Sequence, residues 1–395
     1  MIKKIKVSHL RKGMFIHGLN CSWLKHPFAK NQFVLKSEID IRKIIDAGIR
    51  EIEIDTGKGL DVFVEKRKAE NQILRTAIDE KKAAKPEKKV LKITAKDEEQ
   101  QAKVAFAEAG FLINDMMADV KMGKQIEMEA VNPIMDQMSK SILRNENALL
   151  ALTRIRIMNK YTFEHSVSLS VLLMTFAKSM KLSEKDIKDV GTGGLLHDIG
   201  KTLTPDHILN KPAKLTDEEF VIMRRHVEDS RDILNKTKNL PQAAIDVGAL
   251  HHERYDGTGY PDGLKGDEIS IYGRMAAIVD VYDAITANRC YHKGKEPSVV
   301  LKLLMQWSGG HFDPLLVQKF IQAVGIYPPG TLVLLNNGLL SKVMEADGNI
   351  LKPIVECFFR VKDRSYITPE IINLAKSPMI KIASVESYAQ WNLTP

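Results

Sequence analysis

The sequence of 395 residues has few cysteines, few aromatic residues and no long hydrophobic run. Its three cysteines, Cys21, Cys290 and Cys357, are far apart and odd in number. This excludes a disulfide framework and favours a reducing compartment, so we predict a cytoplasmic protein. No stretch of about 18 uncharged apolar residues is present, and we therefore expect no membrane span. The basic start MIKKIKVSHLRKG lacks an apolar core and a small-residue cleavage site, so we expect no secretory signal.

Charge is abundant but unevenly distributed. Lysine and arginine number 58 against 50 acidic residues, a net charge of +8. Residues 81–96 contain seven lysines and one glutamate, so the rest of the chain is almost balanced. A basic chain raises the alternative of nucleic-acid binding, but no recognition motif and no basic face with interleaved aromatic residues accompanies this run. We interpret it as a solvated linker and expect no nucleic-acid partner.

The order of the patterns predicts a multidomain protein. Its main part is an α-helical bundle, preceded by a small β-rich (α+β) domain and followed by a short β-rich appendage. Near the amino terminus, short β-branched segments surround a helix predicted from Ser37 to Ala47 and ended by Gly48. The predicted segments are a β-rich domain at 1–63, a charged helix and linker at 64–100, a helical connector at 101–150, the main helical domain at 151–327 and the appendage at 328–395.

Histidine and aspartate recur inside the helical region in a pattern typical of metal sites. Taken one at a time, most of these residues have an ordinary structural explanation, because a single histidine in a helix is more often a core or surface residue than a metal ligand. Asp280 is harder to explain in this way, because a buried carboxylate in the apolar run AAIVDVYDAI needs a cation or several donors. Adjacent His251 and His252 cannot share one helix face, so they can reach one site only near a helix end.

Taken together, these residues supply enough ligands for two metal ions. Imidazole and carboxylate without thiolate suit iron, manganese, zinc or nickel. Asp198 is the natural bridge because a carboxylate has two oxygens. Two ions about 3.5–4 Å apart hold the attacking and leaving oxygens of a phosphoryl displacement. Lys201, one turn after His197, can face the same pocket and stabilise charge on a phosphate oxygen.

The same residues resemble the HD-GYP family, the bacterial phosphodiesterases of cyclic di-GMP. The resemblance covers roughly 145–327, and the segment before it is similar to a small domain that often precedes HD-GYP domains. The strongest single signal is the run from His251 to Pro261. The matching features are, in order, His165, HDIGK at 197–201, His226, HHERYDGTGYP at 251–261, DVYDAITANRCYH beginning at Asp280, and GGHFDPLLVQKF at 309–320.

The resemblance implies a role for each matching residue. Lys201 and Asp198 are the expected catalytic residues, with Lys201 on the scissile phosphate and Asp198 bridging the ions. The expected metal ligands are His165, His197, Asp198, His226, His251, His252 and Asp280. The expected substrate-binding residues are Arg289, His292, Lys293, Tyr260 and Gly259, with Gly257 and Pro261 shaping the loop beside the pocket.

Three positions depart from the family's pattern. Tyr161 stands where some members carry a glutamate that binds a third metal, so a two-metal site and the linear product pGpG are favoured. Ser230 stands where glycine is usual, four residues after His226. His292 replaces a lysine that often follows the phosphate-binding arginine, and adjacent Lys293 can substitute for it.

We therefore predict a phosphodiesterase that hydrolyses cyclic di-GMP mainly to pGpG with two divalent ions, iron or manganese first and nickel or zinc as alternatives. Two other functions stay open: hydrolysis of another cyclic dinucleotide such as cyclic GMP-AMP, and a sensor that binds such a ligand with little catalysis. A protein partner is a further hypothesis for residues 1–63. The oligomeric state stays open, with a dimer among the alternatives.

Overall fold

The computed structural model describes residues 2–7, 10, 13–20, 28, 30–55, 57–59, 93–154, 161–287, 294–345 and 349–393. The chain divides into two compact units, residues 1–74 and 75–395. Among the described helices, none is long and apolar enough to cross a membrane. The predicted fold class is confirmed: helices dominate the second unit, and β-sheets lie near both ends of the chain.

The described residues of the amino-terminal unit form a four-stranded antiparallel sheet and one helix. Its strands are β1 (Ile2–Lys6), β2 (Phe15–Gly18), β3 (Phe33–Val34) and β4 (Glu51–Asp55), in the order β1-β4-β2-β3. The helix, α1, spans Glu38–Asp46 as predicted, because Ser37 and Asp40 form a reciprocal cap and Gly48 adopts a φ of 70° beyond its end. Alternate strand residues and one helix face form the core, which includes Met14, Ile16, Leu35, Ile44, Ile52 and Ile54.

Two long helices precede the rest of the bundle within the second unit. They are α2 (Ala95–Lys121) and α3 (Met128–Leu152). The first begins within the segment predicted as a charged helix and linker, where the Thr94 hydroxyl accepts the backbone N–H of Asp97. The second bends at Asn145, whose φ of −158° is not helical. Beside the bend, Lys178 donates a hydrogen bond to the carbonyl of Ile142 at 2.5 Å, a carbonyl that a straight helix would bond internally.

The remaining helices form the bundle that carries the predicted site. They are α4 (Tyr161–Ser179), α5 (Glu184–Leu196), α6 (Asp206–Leu209), α7 (Asp217–Arg224), α8 (His226–Lys236), α9 (Gln242–Leu250), α10 (Ile271–Thr286), α11 (Pro297–Gln306) and α12 (Pro314–Val324). A 3₁₀ turn at Ile199–Leu203 follows α5. The core between α4, α10 and α12 includes Phe176, Tyr282 and Phe320, whose neighbouring ring centroids lie 5.1–5.3 Å apart. Burying each such ring contributes about 1.5–3 kcal/mol.

The carboxyl-terminal residues form a second antiparallel sheet. Its strands are β5 (Leu332–Leu335), β6 (Leu339–Glu345), β7 (Ile354–Arg360), β8 (Ser365–Asn373) and β9 (Ile382–Glu386), in the order β8-β7-β6-β5-β9. The predicted turn at 336–338 joins β5 to β6. The second predicted turn, at Asp347 and Gly348, lies outside the described residues. Cys357 is buried in this sheet as a free thiol.

Candidate metal centre

The seven residues predicted as metal ligands lie together at one point of the helical bundle. His165 comes from α4, His226 from the first residue of α8 and Asp280 from α10. His197 and Asp198 follow α5, and His251 and His252 follow α9, so the paired histidines stand at a helix end as expected. Three sets of these residues bring their donor atoms within 4.8 Å of one another: His226, His251 and His252; His165, His197 and Asp280; His197, Asp198 and His251. We call these seven residues the metal cluster.

Asp198 occupies the middle of the metal cluster. Its Oδ2 lies 3.1 Å from Nε2 of His197 and 3.7 Å from Nε2 of His165. Its Oδ1 faces a different pair, at 3.4 Å from Nε2 of His226 and 3.9 Å from Nε2 of His251. The two oxygens therefore point to two separate sets of imidazoles, the arrangement that a carboxylate shared by two cations requires.

Asp280 also faces two histidines. Its Oδ1 lies 3.2 Å from Nε2 of His165, and its Oδ2 lies 3.9 Å from Nδ1 of His252. Only 9% of this residue is exposed, which fits the expectation that a carboxylate in an apolar helix must meet cationic or donor groups.

Three of the imidazoles are oriented by backbone carbonyls that immediately precede them in the sequence. The Nδ1 atoms of His197, His226 and His251 each lie 2.6–2.9 Å from the carbonyl three residues earlier. A bond of this kind keeps the proton on Nδ1 and leaves Nε2 unprotonated as a ligand atom. Within the described residues, these three Nε2 atoms and Oδ1 of Asp198 are buried without a hydrogen-bond partner. Buried polar atoms without partners are costly, so the donor set fits bound metal ions.

The charge states of His226, His251 and Asp198 suit metal binding, whereas His165 must lose a proton when a metal ion binds. Burial lowers the pKa of His226 to about 4 and that of His251 well below its ordinary value, which keeps both rings neutral. Burial opposes ionisation of Asp198, but the nearby His197 and Lys201 outweigh it and hold the pKa of that carboxyl well below its usual range. Burial also lowers the pKa of His165, but Asp280 and Asp283 outweigh it and raise that pKa to about 9.

Asp283 is a residue that the sequence analysis did not identify. It lies one turn after Asp280 on α10, is buried, and places Oδ2 2.6 Å from Nδ1 of His165. This carboxylate does for His165 what backbone carbonyls do for the other three rings. A signal was available, because a second aspartate in the same apolar helix needs a partner as much as the first does.

Lys201 reaches the cluster from the 3₁₀ turn. Its Nζ donates a hydrogen bond to Oδ2 of Asp198 at 2.5 Å. The turn packs tightly against α8, because a Cβ added at Gly200 would lie 2.1 Å from the carbonyl oxygen of His226. Ser230, the departure from the family's glycine, fits here, since its hydroxyl accepts the backbone N–H of Gly200 at 2.9 Å.

Residues 253–264, the glycine loop, lie beside the cluster. The Tyr260 ring stacks on the His252 imidazole with centroids 4.8 Å apart. Glu253, also not identified from the sequence, accepts the backbone N–H groups of Asp262 at 2.7 Å and Leu264 at 3.0 Å. Burial raises the pKa of Glu253 to about 7 against the effect of these donors. A Cβ at Gly259 would lie 2.2 Å from the backbone nitrogen of Arg254, so only glycine fits there.

Several predicted residues cannot be placed. Arg289, His292 and Lys293 lie outside the described residues, as does the side chain of Tyr161. Their roles stay predictions from the sequence.

Two protein families match this chain. The HD domain family matches residues 137–316. A family described as a domain of unknown function (DUF3391) matches residues 2–131.

Individual proteins are similar over different lengths. Cyclic di-GMP phosphodiesterase PA4108 of Pseudomonas aeruginosa is 38% identical over 395 residues, which cover 99% of this chain and 94% of that protein. The 3′3′-cGAMP-specific phosphodiesterase 2 of Vibrio cholerae is 37% identical over 201 residues, 50% of this chain and 37% of that protein. Among solved structures, Bd1817, a HDG"Y"P protein from Bdellovibrio bacteriovorus, has a TM-score of 0.46 at 17% identity, covering 81% of this chain and 98% of that one.

Proposed function

The chain belongs to the HD-GYP family, and from this membership we propose that it is a metal-dependent phosphodiesterase that hydrolyses cyclic di-GMP mainly to linear pGpG. The relative from Pseudomonas supports cyclic di-GMP as the substrate, because it is similar over nearly its whole length. The observation that carries the proposal is Asp198, whose two carboxylate oxygens face two different pairs of histidines.

The metal cluster would hold two divalent transition-metal ions, with iron or manganese as the first choice and nickel or zinc as alternatives. When bound, such ions supply an acidified water as nucleophile and positive charge beside the scissile phosphate. The chain's own contribution is orientation: backbone carbonyls and Asp283 fix the rings, and burial keeps bulk water away from their Nε2 atoms.

Lys201 would stabilise negative charge on the scissile phosphate. Its ammonium is held at the edge of the cluster by Asp198 and is partly exposed, so an incoming phosphate oxygen can reach it. We expect Lys201→Ala to retain its metal ions and to lose about 10²–10³-fold in kcat. Lys185→Ala, which changes an exposed lysine of α5, should keep the wild-type rate. Loss of metal in the Lys201 variant, measured by elemental analysis, would contradict this role.

The expected reaction product depends on the residue at position 161, which is tyrosine. In some family members a glutamate at this position binds a third metal ion, and the phenol of Tyr161 is a poor substitute for that carboxylate. We propose that the reaction stops mainly at pGpG. Chromatography of a complete reaction should show pGpG in excess over GMP, whereas rapid conversion to two GMP would overturn this part of the proposal.

The decisive experiment is hydrolysis of cyclic di-GMP by full-length protein loaded with manganese or ferrous iron. We expect multiple turnovers that stop when a chelator removes the metal. Absence of turnover with any of these metals, in protein shown to be folded and metal-loaded, would overturn the proposed function.

A second candidate substrate is cyclic GMP-AMP. It is favoured by the similarity to the Vibrio phosphodiesterase over half of this chain. Rates measured side by side on the two dinucleotides at equal concentration separate the candidates. Tight binding of either ligand without turnover would instead indicate a sensor.

A further inference from the structure

Arg224 places a cation beside the metal cluster without being part of it. It is the last residue of α7, two positions before His226, and its guanidinium carbon lies 4.1 Å from the centroid of the Tyr260 ring. The same ring stacks on His252. A single aromatic ring therefore joins this guanidinium to a predicted metal ligand.

The donors of Arg224 are not engaged by any carboxylate of the described residues, since no ion pair involves this side chain there. Other arginines of this unit are engaged: Arg144 by Glu98, Arg231 by Asp262, and Arg274 by Asp267 and Asp313. A guanidinium over an aromatic ring is held by cation–π attraction while its N–H donors remain available for a bidentate acceptor. Arg224 is thus a half-buried, oriented cation with free donor capacity.

The surroundings of Arg224 suit a nucleotide. Phe220, one turn earlier on α7, lies 5.9 Å from the same guanidinium and is 47% exposed. An exposed aromatic face next to an arginine offers stacking for a base together with hydrogen bonds for phosphate or base edges. The structure describes no buried side chain on α7, so both residues are held on the surface beside the site.

We propose that Arg224 is a substrate-binding residue, whose guanidinium receives a bidentate acceptor of the cyclic dinucleotide outside the scissile phosphate. This inference rests on the proposed function. The scissile phosphate is assigned to the metal cluster and Lys201. Among the described residues no other cation is assigned to the second phosphate or to the guanine O6/N7 edges, and the predicted substrate-binding residues Arg289, His292 and Lys293 lie outside them. Both acceptors match the planar fork of arginine.

The test is Arg224→Gln in full-length, metal-loaded protein. We expect kcat/KM for cyclic di-GMP to fall about 10–100-fold, mainly through KM, since one bidentate contact is lost. Metal content and hydrolysis of bis(4-nitrophenyl) phosphate should stay unchanged, because that diester has neither a second phosphate nor guanine. Arg225→Gln, the exposed neighbouring arginine, is the matched control and should behave as wild type.

Cyclic di-AMP separates the two acceptors. An equal rise in KM for cyclic di-AMP and cyclic di-GMP assigns Arg224 to the phosphate, and a rise for cyclic di-GMP alone assigns it to guanine. A KM for cyclic di-GMP within twofold of wild type would overturn the proposal. An equal loss on bis(4-nitrophenyl) phosphate would do the same, because it would indicate a structural role.

Equilibrium dialysis with cyclic di-GMP keeps this proposal apart from the proposed function. If the wild type binds the dinucleotide without turnover, the proposed function fails, while weaker binding by Arg224→Gln still supports the role of Arg224. If the wild type neither binds nor cleaves it, both proposals fail.

Discussion

The metal cluster and the glycine loop lie side by side but are held in different ways. His197, His226 and His251 bond to carbonyls of their own chain three residues earlier, and all three are almost fully buried. The glycine loop is instead held by residues far away in the sequence. The backbone N–H groups of Tyr255 and Asp256 donate hydrogen bonds to the carbonyls of His311 and Gly310 at 2.9 Å. The cluster is therefore placed mainly by local structure, and the loop by tertiary contacts.

This difference separates metal binding from substrate binding. Rings fixed by backbone carbonyls three residues earlier keep the metal geometry constant while the surrounding surface varies. A loop fixed by contacts far along the chain can change its shape without disturbing the ligands. We therefore expect changes in the cluster to act on metal binding and kcat, and changes in the loop to act on KM.

The largest effect is expected from Asp198→Ala. Both oxygens of this residue face histidine pairs, so its removal takes a ligand from both predicted metal positions at once. Bound metal should fall below one ion per chain, and the rate should fall by about 10³-fold or more. Elemental analysis and cyclic di-GMP hydrolysis measure the two quantities. Asp206→Ala, an exposed aspartate on α6, should match wild type, and a fully active Asp198→Ala would contradict the bridging role.

The next largest effect is expected from Asp283→Asn. An amide at this position no longer stabilises the proton on Nδ1 of His165 as a carboxylate does, so the ring loses its fixed orientation. Metal affinity, measured by competition with a chelator, should fall about 10–100-fold. Asp189→Asn changes a buried aspartate paired with Lys185 and serves as the control. Unchanged affinity would show that α4 alone orients His165.

A moderate effect, on KM and not on metal binding, is expected from Glu253→Gln in the glycine loop. The amide keeps the size of the side chain but presents one acceptor to the two backbone N–H groups of Asp262 and Leu264. Losing one charge-assisted hydrogen bond costs about 1.5–3 kcal/mol, so KM for the dinucleotide should rise about tenfold. Metal content should not change. Glu228→Gln is the exposed control, and loss of metal in the Glu253 variant would break the division between cluster and loop.

The smallest effect is expected from Ser230→Ala. The variant removes the only described acceptor of the Gly200 N–H group and leaves that group buried. The free energy of unfolding should fall by about 1–3 kcal/mol, and Tm by roughly 2–4 °C per kcal/mol. Calorimetry measures the shift, while kcat should remain within about threefold of wild type. A large loss of kcat would show that this bond controls the metal geometry as well as stability.

Part of this architecture was predictable from local sequence signals. The helix after Ser37, the helical bundle and the two β-rich ends follow from caps, spacing and turns. The helical region was predicted from about residue 101, whereas α2 begins at Ala95, inside the segment predicted as a charged helix and linker, where Thr94 and Asp97 form a cap pair. The bend at Asn145 was also not predicted, because it involves Lys178 from another helix.

The candidate site shows the same limit. His165 and Asp280 are far apart in the sequence. The histidine and aspartate pattern and the family resemblance placed them in one site, but neither predicted that they lie 3.2 Å apart. Asp283, Glu253 and Arg224 act through contacts across the fold, to a ring, a loop and an aromatic face. Composition and spacing contain no information on which of many charged residues makes such contacts.

The close approach at Gly200 has a consequence for how this protein can change over evolutionary time. A methyl group there would collide with the carbonyl of His226, so even alanine would force apart two chain segments that each carry a predicted ligand. Position 200 therefore tolerates one amino acid in twenty. The positions on α7 have no buried side chains and, apart from Arg224, can accept many replacements. We therefore expect substitutions to accumulate on the surface beside the site, while the spacing between the predicted ligands stays constant.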